Sequence, residues 1–242
     1  MSLPTRWHDL RSFTPARVAL GRVGQGLPTA AHLAFQADHA AARDAVHAAL
    51  DVAALRAALG PQTKLVRSAA PDRATYLRRP DLGRSLHPDH DLAPQPGCLA
   101  IVVADGLSAI ATQRHAPALV EALLALMPEL GPVVIATQAR VALGDAVGEA
   151  LQAEAVLVLL GERPGLSAFD SLGAYLTWQP RIGRSDAERN CVSNIRPAGL
   201  AVPEAARKLA WLLGEMRRLR LSGVALKDDA PDYGSSISLD ST

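Results

Sequence analysis

The chain has 242 residues, a length that allows either one large domain or a small domain joined to a medium one. Hydrophobic residues make up 49% of the chain and charged residues 20%, a balance that excludes a disordered, coiled-coil or collagen-like protein. The formal net charge of +1 provides no broad positive field, so neither nucleic acid nor an anionic membrane is an expected partner.

Residues 1–95 are predicted to form a helical, arginine-rich region. Residues 28–59 are rich in alanine, contain no glycine and repeat apolar residues at helical offsets, which predicts one long helix. Only three of the 25 lysines and arginines are lysines, so guanidinium groups supply almost all of the positive charge. Residues 87–97 (HPDHDLAPQPG) combine proline and aspartate with little to bury, and they mark a boundary.

Residues 96–228 are predicted to form an α/β domain, followed by a flexible tail at residues 229–242. In this domain short apolar runs alternate with stretches of helical periodicity. The runs are residues 99–104, 132–137 and 155–160, and the helical stretches are residues 108–126, 141–153 and 203–221. Runs that are apolar on both faces are typical of buried parallel strands, so we expect a Rossmann-like, mainly parallel sheet flanked by helices.

Polar residues follow each predicted strand, at the edge where such sheets bind ligands. The first strand is followed by Asp105 and Gly106, the second by residues 138–141, and the third by residues 161–165 (GERPG). Residues 161–165 combine a carboxylate, a guanidinium and two glycines, and we interpret them as a binding loop.

Residues 185–197 (SDAERNCVSNIRP) are too polar for a core element and are predicted to form a second binding loop. They include Cys191, and the only other cysteine is Cys98, so neither a disulfide framework nor a structural zinc site is expected. A nucleophilic Cys191 with Glu188 as its base is an alternative. A small buried or contact cysteine agrees better with the sequence, which places no activating base or positive environment beside the thiol.

Several sequence signals of function are absent. No G-x-x-x-x-G-K-[ST], H-E-x-x-H or G-x-S-x-G motif occurs, which argues against P-loop enzymes, zinc proteases and α/β-hydrolases. The first 30 residues lack the pattern of a signal peptide, and no segment approaches about 18 consecutive apolar residues. We therefore expect an intracellular protein.

Long stretches of the chain resemble the small (light) subunit of ethanolamine ammonia-lyase. They occur in the family's order and span nearly the whole sequence to about residue 227. The stretches are FTPARVALGRVG (13–24), LAFQADHAAARDAVH (33–47), APDRATYLRRPDLGR (70–84), VVADGLSAIA (102–111), GERPGLSAFDSLGAYLTW (161–178), DAERNCVSNIRPAGL (186–200) and AARKLAWLL (205–213).

The resemblance implies a part in converting ethanolamine to acetaldehyde and ammonia with adenosylcobalamin (coenzyme B12) as cofactor. It also implies that the substrate is bound mainly by a large subunit, which carries the radical chemistry. The small subunit then supplies part of the cobalamin pocket at the interface. The chain is then the non-catalytic member of a hetero-oligomer, with no catalytic residue and no metal ligand of its own. The expected location is the bacterial cytoplasm, free or inside a bacterial microcompartment.

The resemblance further implies that corrin contacts fall on Val141, Glu162 and Cys191. The side arms of a corrin end in amides, so the Glu162 carboxylate can accept a hydrogen bond from one of them. Backbone groups near Val141 and Cys191 can pair with others. Additional candidates, from chain proximity alone, are Arg140, Arg163 and Asn194.

Two other classes of protein stay open from the sequence. A free-standing domain that binds a nucleotide or other small molecule would explain the parallel sheet, and it would bind its ligand without a partner chain. A cysteine-dependent amidase would explain Cys191 and Glu188, and it would lose activity to a thiol alkylator.

Overall fold

The structure is a computed structural model that describes residues 9–14 and 16–229. The flexible tail predicted for residues 229–242 lies, apart from its first residue, outside the described residues. Among the helices of the described residues, none has the length and apolar character needed to cross a membrane.

Seven α-helices and six β-strands make up the described part of the chain, with short 3-10 turns between some of them. The helices are α1 (Thr29–His47), α2 (Val52–Leu59), α3 (Arg73–Arg78), α4 (Pro80–Arg84), α5 (Ala109–Leu126), α6 (Leu143–Leu151) and α7 (Val202–Leu219). The strands are β1 (Lys64–Arg67), β2 (Leu99–Ala104), β3 (Leu130–Thr137), β4 (Ala155–Gly161), β5 (Leu172–Trp178) and β6 (Arg189–Ile195).

The strands form one sheet in the order β1-β3-β2-β4-β5-β6. The first four in this order run parallel, whereas β5 and β6 are antiparallel additions at one edge. The three strands predicted from apolar runs are β2, β3 and β4, which lie side by side. The predicted fold class, a mainly parallel sheet flanked by helices and preceded by a helical region, is confirmed.

Helices cover both faces of the sheet, which explains why β2 and β4 are buried at every position. On one face, residues of α2, α5 and α7 form a core with Ile101 and Leu157. On the other face, residues of α6 pack with Val102 and Val156. Because successive residues of a strand point to opposite faces, a strand covered on both sides needs an unbroken apolar run.

The prediction of a single helix over residues 28–59 is wrong. The segment forms α1 and α2, and Ala48 leaves the helical conformation with ψ at 136°. The carboxylate of Asp51 then accepts a hydrogen bond from the Ala54 N–H at 2.9 Å and caps α2. Both helices are rich in alanine, so helix propensity does not locate the break, which is fixed by this cap and by the burial of Leu55.

Three strands, β1, β5 and β6, lie in segments for which no strand was predicted. β5 is buried at all positions but Tyr175, yet Gly173 and Thr177 interrupt its apolar residues, so it carries no continuous apolar run. β1 lies in the region predicted to be helical, and it pairs in parallel with β3. β6 lies in residues 185–197, predicted to be a polar loop. As an edge strand β6 buries only Arg189, Val192 and Ile195, so its sequence carries no continuous apolar signal. The domain division near residue 95 stays a prediction.

Candidate functional site

A cavity of about 210 Å³ lies at the carboxyl edge of the parallel strands. Its lining comes from α3 and α4, from the segments that follow β2, β3 and β4, and from β5. The lining residues are Tyr76, Pro80, Arg84, Gly106, Leu107, Arg140, Val141, Ala142, Leu160, Gly161, Glu162, Arg163, Tyr175 and Asp186.

Two buried side chains tie together the segments that follow β2 and β3. Asp105 accepts hydrogen bonds from the backbone N–H groups of Gln138 and Ala139, both at 2.9 Å, and from the Arg73 guanidinium at 3.1 Å. Burial raises the pKa of Asp105, and these donors oppose the rise. The hydroxyl of Tyr76 lies 2.9 Å from the carbonyl of Gly106 and 3.0 Å from that of Ala139. The floor of the cavity is therefore rigid.

Glycines allow the ends of β2 and β4 to approach each other closely. A Cβ on Gly106 would lie 2.2 Å from the carbonyl oxygen of Gly161, and one on Gly161 would lie 1.9 Å from that of Ser108. Gly106 also has a backbone φ of +54°, which residues other than glycine rarely adopt. This contact places Glu162, the next residue after β4, at the cavity wall.

The carboxylate of Glu162 is held in place through one oxygen. Its Oε2 accepts hydrogen bonds from the hydroxyl of Ser171 and from the backbone N–H of Asn194, the latter at 3.2 Å. Its Oε1 has no hydrogen-bond partner among residues 9–14 and 16–229. A Cβ on Gly173 would lie 3.0 Å from this Oε1, so glycine keeps the space beside it open. Glu162 therefore presents one oriented acceptor to a ligand.

The structure brings Val141 and Glu162 to the same cavity and places Cys191 next to it. Val141 precedes α6 and is half-buried, while Cys191 lies on β6 directly opposite Tyr175, which lines the cavity. Cys191 is exposed and is not itself a lining residue. The three candidates thus surround one patch, although Cys191 lies on a strand rather than in the loop predicted for it.

The surroundings of Cys191 disfavour a thiolate. Desolvation raises the pKa of its thiol, a hydrogen bond with Tyr175 acts in the opposite direction, and the nearby Glu162 carboxylate raises it again. Glu188, the base in the alternative reading of this cysteine, accepts hydrogen bonds from the Ser185 N–H at 2.8 Å and from Arg184. These bonds hold the pKa of Glu188 at about 2, which makes it a poor proton acceptor at neutral pH.

The three additional candidates have different positions. Arg140 and Arg163 both line the cavity. Asn194 lies on β6 with a left-handed backbone (φ 58°), and its N–H holds Glu162, while its side-chain oxygen accepts a hydrogen bond from Arg196 Nε at 2.8 Å. Across the described ranges no three histidine, cysteine or acidic side chains are arranged to hold a metal ion.

Sequence reasoning missed several residues of the site. Tyr76 and Arg84 reach the cavity from the first region, and Tyr175 reaches it from β5. Ser171, the residue before β5, does not line the cavity but holds the carboxylate of Glu162. No local signal identifies them, because each depends on how distant segments pair. Tyr76 and Arg84 do lie in one of the stretches that carry the family resemblance.

Comparison with known proteins supports the resemblance over nearly the whole chain. The family described as "Ethanolamine ammonia-lyase light chain (EutC)" matches residues 4–227. The chain belongs to this family. The family predicted from the sequence is therefore confirmed.

Curated relatives in the family carry the name "Ethanolamine ammonia-lyase small subunit". One from Xanthomonas campestris pv. campestris (strain B100) is 55% identical, over 95% of this chain and 92% of its own length. One from Bradyrhizobium diazoefficiens is 58% identical, over 93% of this chain and 91% of its own length. One from Azotobacter vinelandii is 54% identical, over 93% of this chain and 88% of its own length.

Proposed function

We propose that this chain is the small subunit of ethanolamine ammonia-lyase and supplies one wall of a cobalamin-binding pocket at its interface with the large subunit. The reaction is the conversion of ethanolamine to acetaldehyde and ammonia, with the substrate bound mainly by the large subunit. A location in the bacterial cytoplasm, free or within a microcompartment, stays a prediction.

The observation that carries the proposal is a cavity that is lined by Val141 and Glu162, has Cys191 on the adjoining strand and is too small for the cofactor. Pockets that enclose drug-sized ligands measure about 300–1,000 Å³. A cavity of about 210 Å³ can hold part of a corrin, such as an amide side arm, but not the ring. A second protein surface is needed to complete the pocket, in agreement with the names of the relatives.

The residues at the cavity fit the amide groups of a corrin. Glu162 offers the unpaired Oε1 as an acceptor for an amide N–H. The Nε of Arg140 is buried and has no hydrogen-bond partner in the described residues, so it is available as a donor. The N–H of a corrin amide can satisfy the Glu162 acceptor, and the Arg140 donor is available to another polar group of the cofactor.

In this proposal the chain binds and orients the cofactor and takes no proton from the substrate. When bound, adenosylcobalamin supplies the radical chemistry of the reaction. Glu162 fixes one side arm through a single oriented oxygen, and Val141 and Tyr175 exclude water from the cavity wall. Cys191 contributes an exposed contact on the adjoining strand.

The two alternatives from the sequence find less support. A free-standing domain with a parallel sheet binds its ligand at the carboxyl edge of the strands, and the cavity at that edge is smaller than a pocket that encloses a ligand. A cysteine-dependent amidase needs an activated thiol, whereas the pKa of Cys191 is raised and Glu188 is committed to hydrogen bonds with Ser185 and Arg184.

The first prediction concerns the isolated chain. We expect the purified chain to show no turnover of ethanolamine with adenosylcobalamin, and full activity to require co-expression with the large subunit. Size-exclusion chromatography with detection of cobalamin absorbance measures assembly and cofactor binding together. Turnover by a preparation free of large subunit, or failure of the two chains to form a complex, would contradict the proposal.

The second prediction concerns Glu162→Ala in the reconstituted complex. Loss of one charge-assisted hydrogen bond is expected to weaken cobalamin binding by about 1.5–3 kcal/mol, with assembly unchanged. Titration of cobalamin absorbance gives the affinity. Glu121→Ala, a change of the same type on the exposed side of α5, is the control and should leave the affinity unaltered. Equal affinities for wild type and Glu162→Ala would remove Glu162 from the contact set.

The third prediction is that the sulfur of Cys191 has no chemical role. Cys191→Ser preserves the size of an exposed side chain, so we expect most of the turnover at saturating cobalamin and a loss of cofactor affinity below about 1 kcal/mol. Cys191→Ala is the companion variant, and both are measured in the assembled complex. If both variants bound cobalamin normally and were inactive, a reactive thiol would have to be reconsidered.

A further inference from the structure

The cavity carries an excess of positive charge that the described residues do not neutralise. Three arginines line it, namely Arg84, Arg140 and Arg163, against two carboxylates, Glu162 and Asp186. Glu162 accepts two hydrogen bonds through Oε2, and Asp186 lies 3.3 Å from the Nε of Arg189. Within residues 9–14 and 16–229, none of the three lining guanidinium groups has a hydrogen bond or ion pair.

Arg140 differs from the other two arginines because it is partly buried. Arg84 and Arg163 are exposed, and solvent can satisfy their donors. The Nε of Arg140 is shielded from solvent and has no hydrogen-bond partner in the described residues. A buried donor without a partner is unusual in a folded protein and points to a group that the isolated chain does not contain.

The guanidinium of Arg140 is held in position although it is not hydrogen-bonded. Its Cζ lies 4.6 Å from the centre of the Tyr76 ring, and its backbone N–H donates to the carbonyl of Gly83 at 2.8 Å. Arg73 also stacks on Tyr76, at 4.9 Å, but its guanidinium is committed to Asp105 and to the carbonyl groups of Val46 and Gly106. Arg140 is thus oriented and available for a ligand.

We propose that Arg140 binds a phosphodiester anion of the ligand, which in cobalamin is the phosphodiester of the nucleotide loop. The planar guanidinium matches phosphate oxygens in a two-point contact, and Arg84 and Arg163 add attraction at the rim of the cavity. The corrin side arms of cobalamin end in neutral amides, so the phosphodiester is its anionic group at neutral pH. The proposal rests on the proposed function, because that function supplies the ligand.

The test compares two ligands that differ in the nucleotide loop, which contains the phosphodiester. Adenosylcobalamin contains the nucleotide loop, whereas adenosylcobinamide keeps the corrin and its amides but lacks the loop. Each is titrated, with absorbance as the readout, into the complex with the large subunit carrying wild-type chain, Arg140→Met or Arg140→Lys. Arg218→Met, which removes an exposed arginine paired with Glu215 on α7, is the matched control.

We expect Arg140→Met to weaken adenosylcobalamin binding by about 10- to 100-fold and adenosylcobinamide binding by less than about twofold. Arg140→Lys keeps the charge but not the two-point contact, so its loss should be smaller. Inorganic phosphate should compete with adenosylcobalamin on the wild-type complex but not with adenosylcobinamide, a measurement that needs no variant. Equal losses for both ligands, or no loss for adenosylcobalamin, would overturn the assignment of Arg140.

The controls separate this proposal from the proposed function. If the wild-type complex bound neither corrinoid, the proposed function would be wrong and this subsite with it. If wild type bound both and Glu162→Ala weakened both equally, the proposed function would stand whatever the result for Arg140. Only a selective loss of adenosylcobalamin binding in Arg140→Met supports the phosphodiester contact.

Discussion

Replacing Arg189 with methionine is expected to lower the free energy of unfolding by about 3–5 kcal/mol. Arg189 and Asp145 form a two-point ion pair, at 2.5 Å and 2.7 Å, with side chains only 3% and 2% exposed. Arg189 also donates to the Thr177 hydroxyl and to the carbonyl of Arg184. Its removal would leave the Asp145 carboxylate buried without its partner, which is the costly part of breaking such a pair.

Urea unfolding of the chain measures the change, and two further variants test its cause. Arg218→Met removes an exposed ion pair and should change the free energy of unfolding by less than about 1 kcal/mol. The double variant Arg189→Met/Asp145→Leu removes both charges and should recover much of the lost stability. A double variant as unstable as Arg189→Met alone would show that an unpaired carboxylate is not the cause.

The pH dependence of Arg189→Met follows from the same pair. Burial raises the pKa of Asp145, and Arg189 opposes the rise, so its loss should raise that pKa further. A carboxyl group whose pKa is higher in the folded state than in the unfolded state lowers the free energy of unfolding at any pH high enough to ionise it. The penalty of Arg189→Met is therefore expected to shrink as the pH falls from neutral through the raised pKa.

Gly161→Ala is expected to lower the free energy of unfolding by about 3 kcal/mol, at the upper end of overpacking penalties. The added Cβ would lie 1.9 Å from the carbonyl oxygen and 2.5 Å from the carbonyl carbon of Ser108. Both are backbone atoms, so no side-chain rotation relieves the contact, and the ends of β2 and β4 must separate. Because Gly161 lines the cavity, cobalamin affinity of the complex should fall as well.

A glycine without such a contact provides the control. Gly214 lies in α7, and a Cβ there would have no neighbour within 4 Å, so Gly214→Ala should be neutral or stabilising by about 0.5–1 kcal/mol. Thermal unfolding of both variants gives the comparison. If Gly161→Ala were as stable as the wild type, β2 and β4 could separate at no cost. The close contact of Gly161 with Ser108 would then not be what positions Glu162.

Local sequence was sufficient for the centre of the fold. The apolar runs at β2, β3 and β4 were predicted in the right order, because a strand covered on both faces must be apolar at every position. The carboxyl ends of these strands, and the segments that follow them, could then be placed at one edge. The edge strands β1 and β6 were missed because each is partly exposed and its pattern is not that of a buried strand. β5 is buried but was also missed, because Gly173 and Thr177 interrupt its apolar run.

The candidate contacts were available from the sequence only through the family resemblance. Nothing in composition or spacing distinguishes Val141 or Cys191 from their neighbours. Residues 161–165 were interpreted as a binding loop from chemistry and position, and Glu162 does lie at the cavity. Their role as cobalamin contacts is a prediction that the affinity measurements test.

The fold class, the family and the edge of the sheet at which the cavity lies could all be predicted from the amino-acid sequence, because apolar periodicity and the motifs shared with the family are local properties of the chain. The surroundings of Glu162 could be known only from the three-dimensional structure, since Ser171 reaches it through the antiparallel pairing of β4 with β5, and Asn194 through that of β5 with β6. That structure also shows that Tyr76, from the first region, holds Arg140 at the cavity. Such contacts depend on which distant segments of the chain pair with each other, and the local pattern of one segment does not identify its partner.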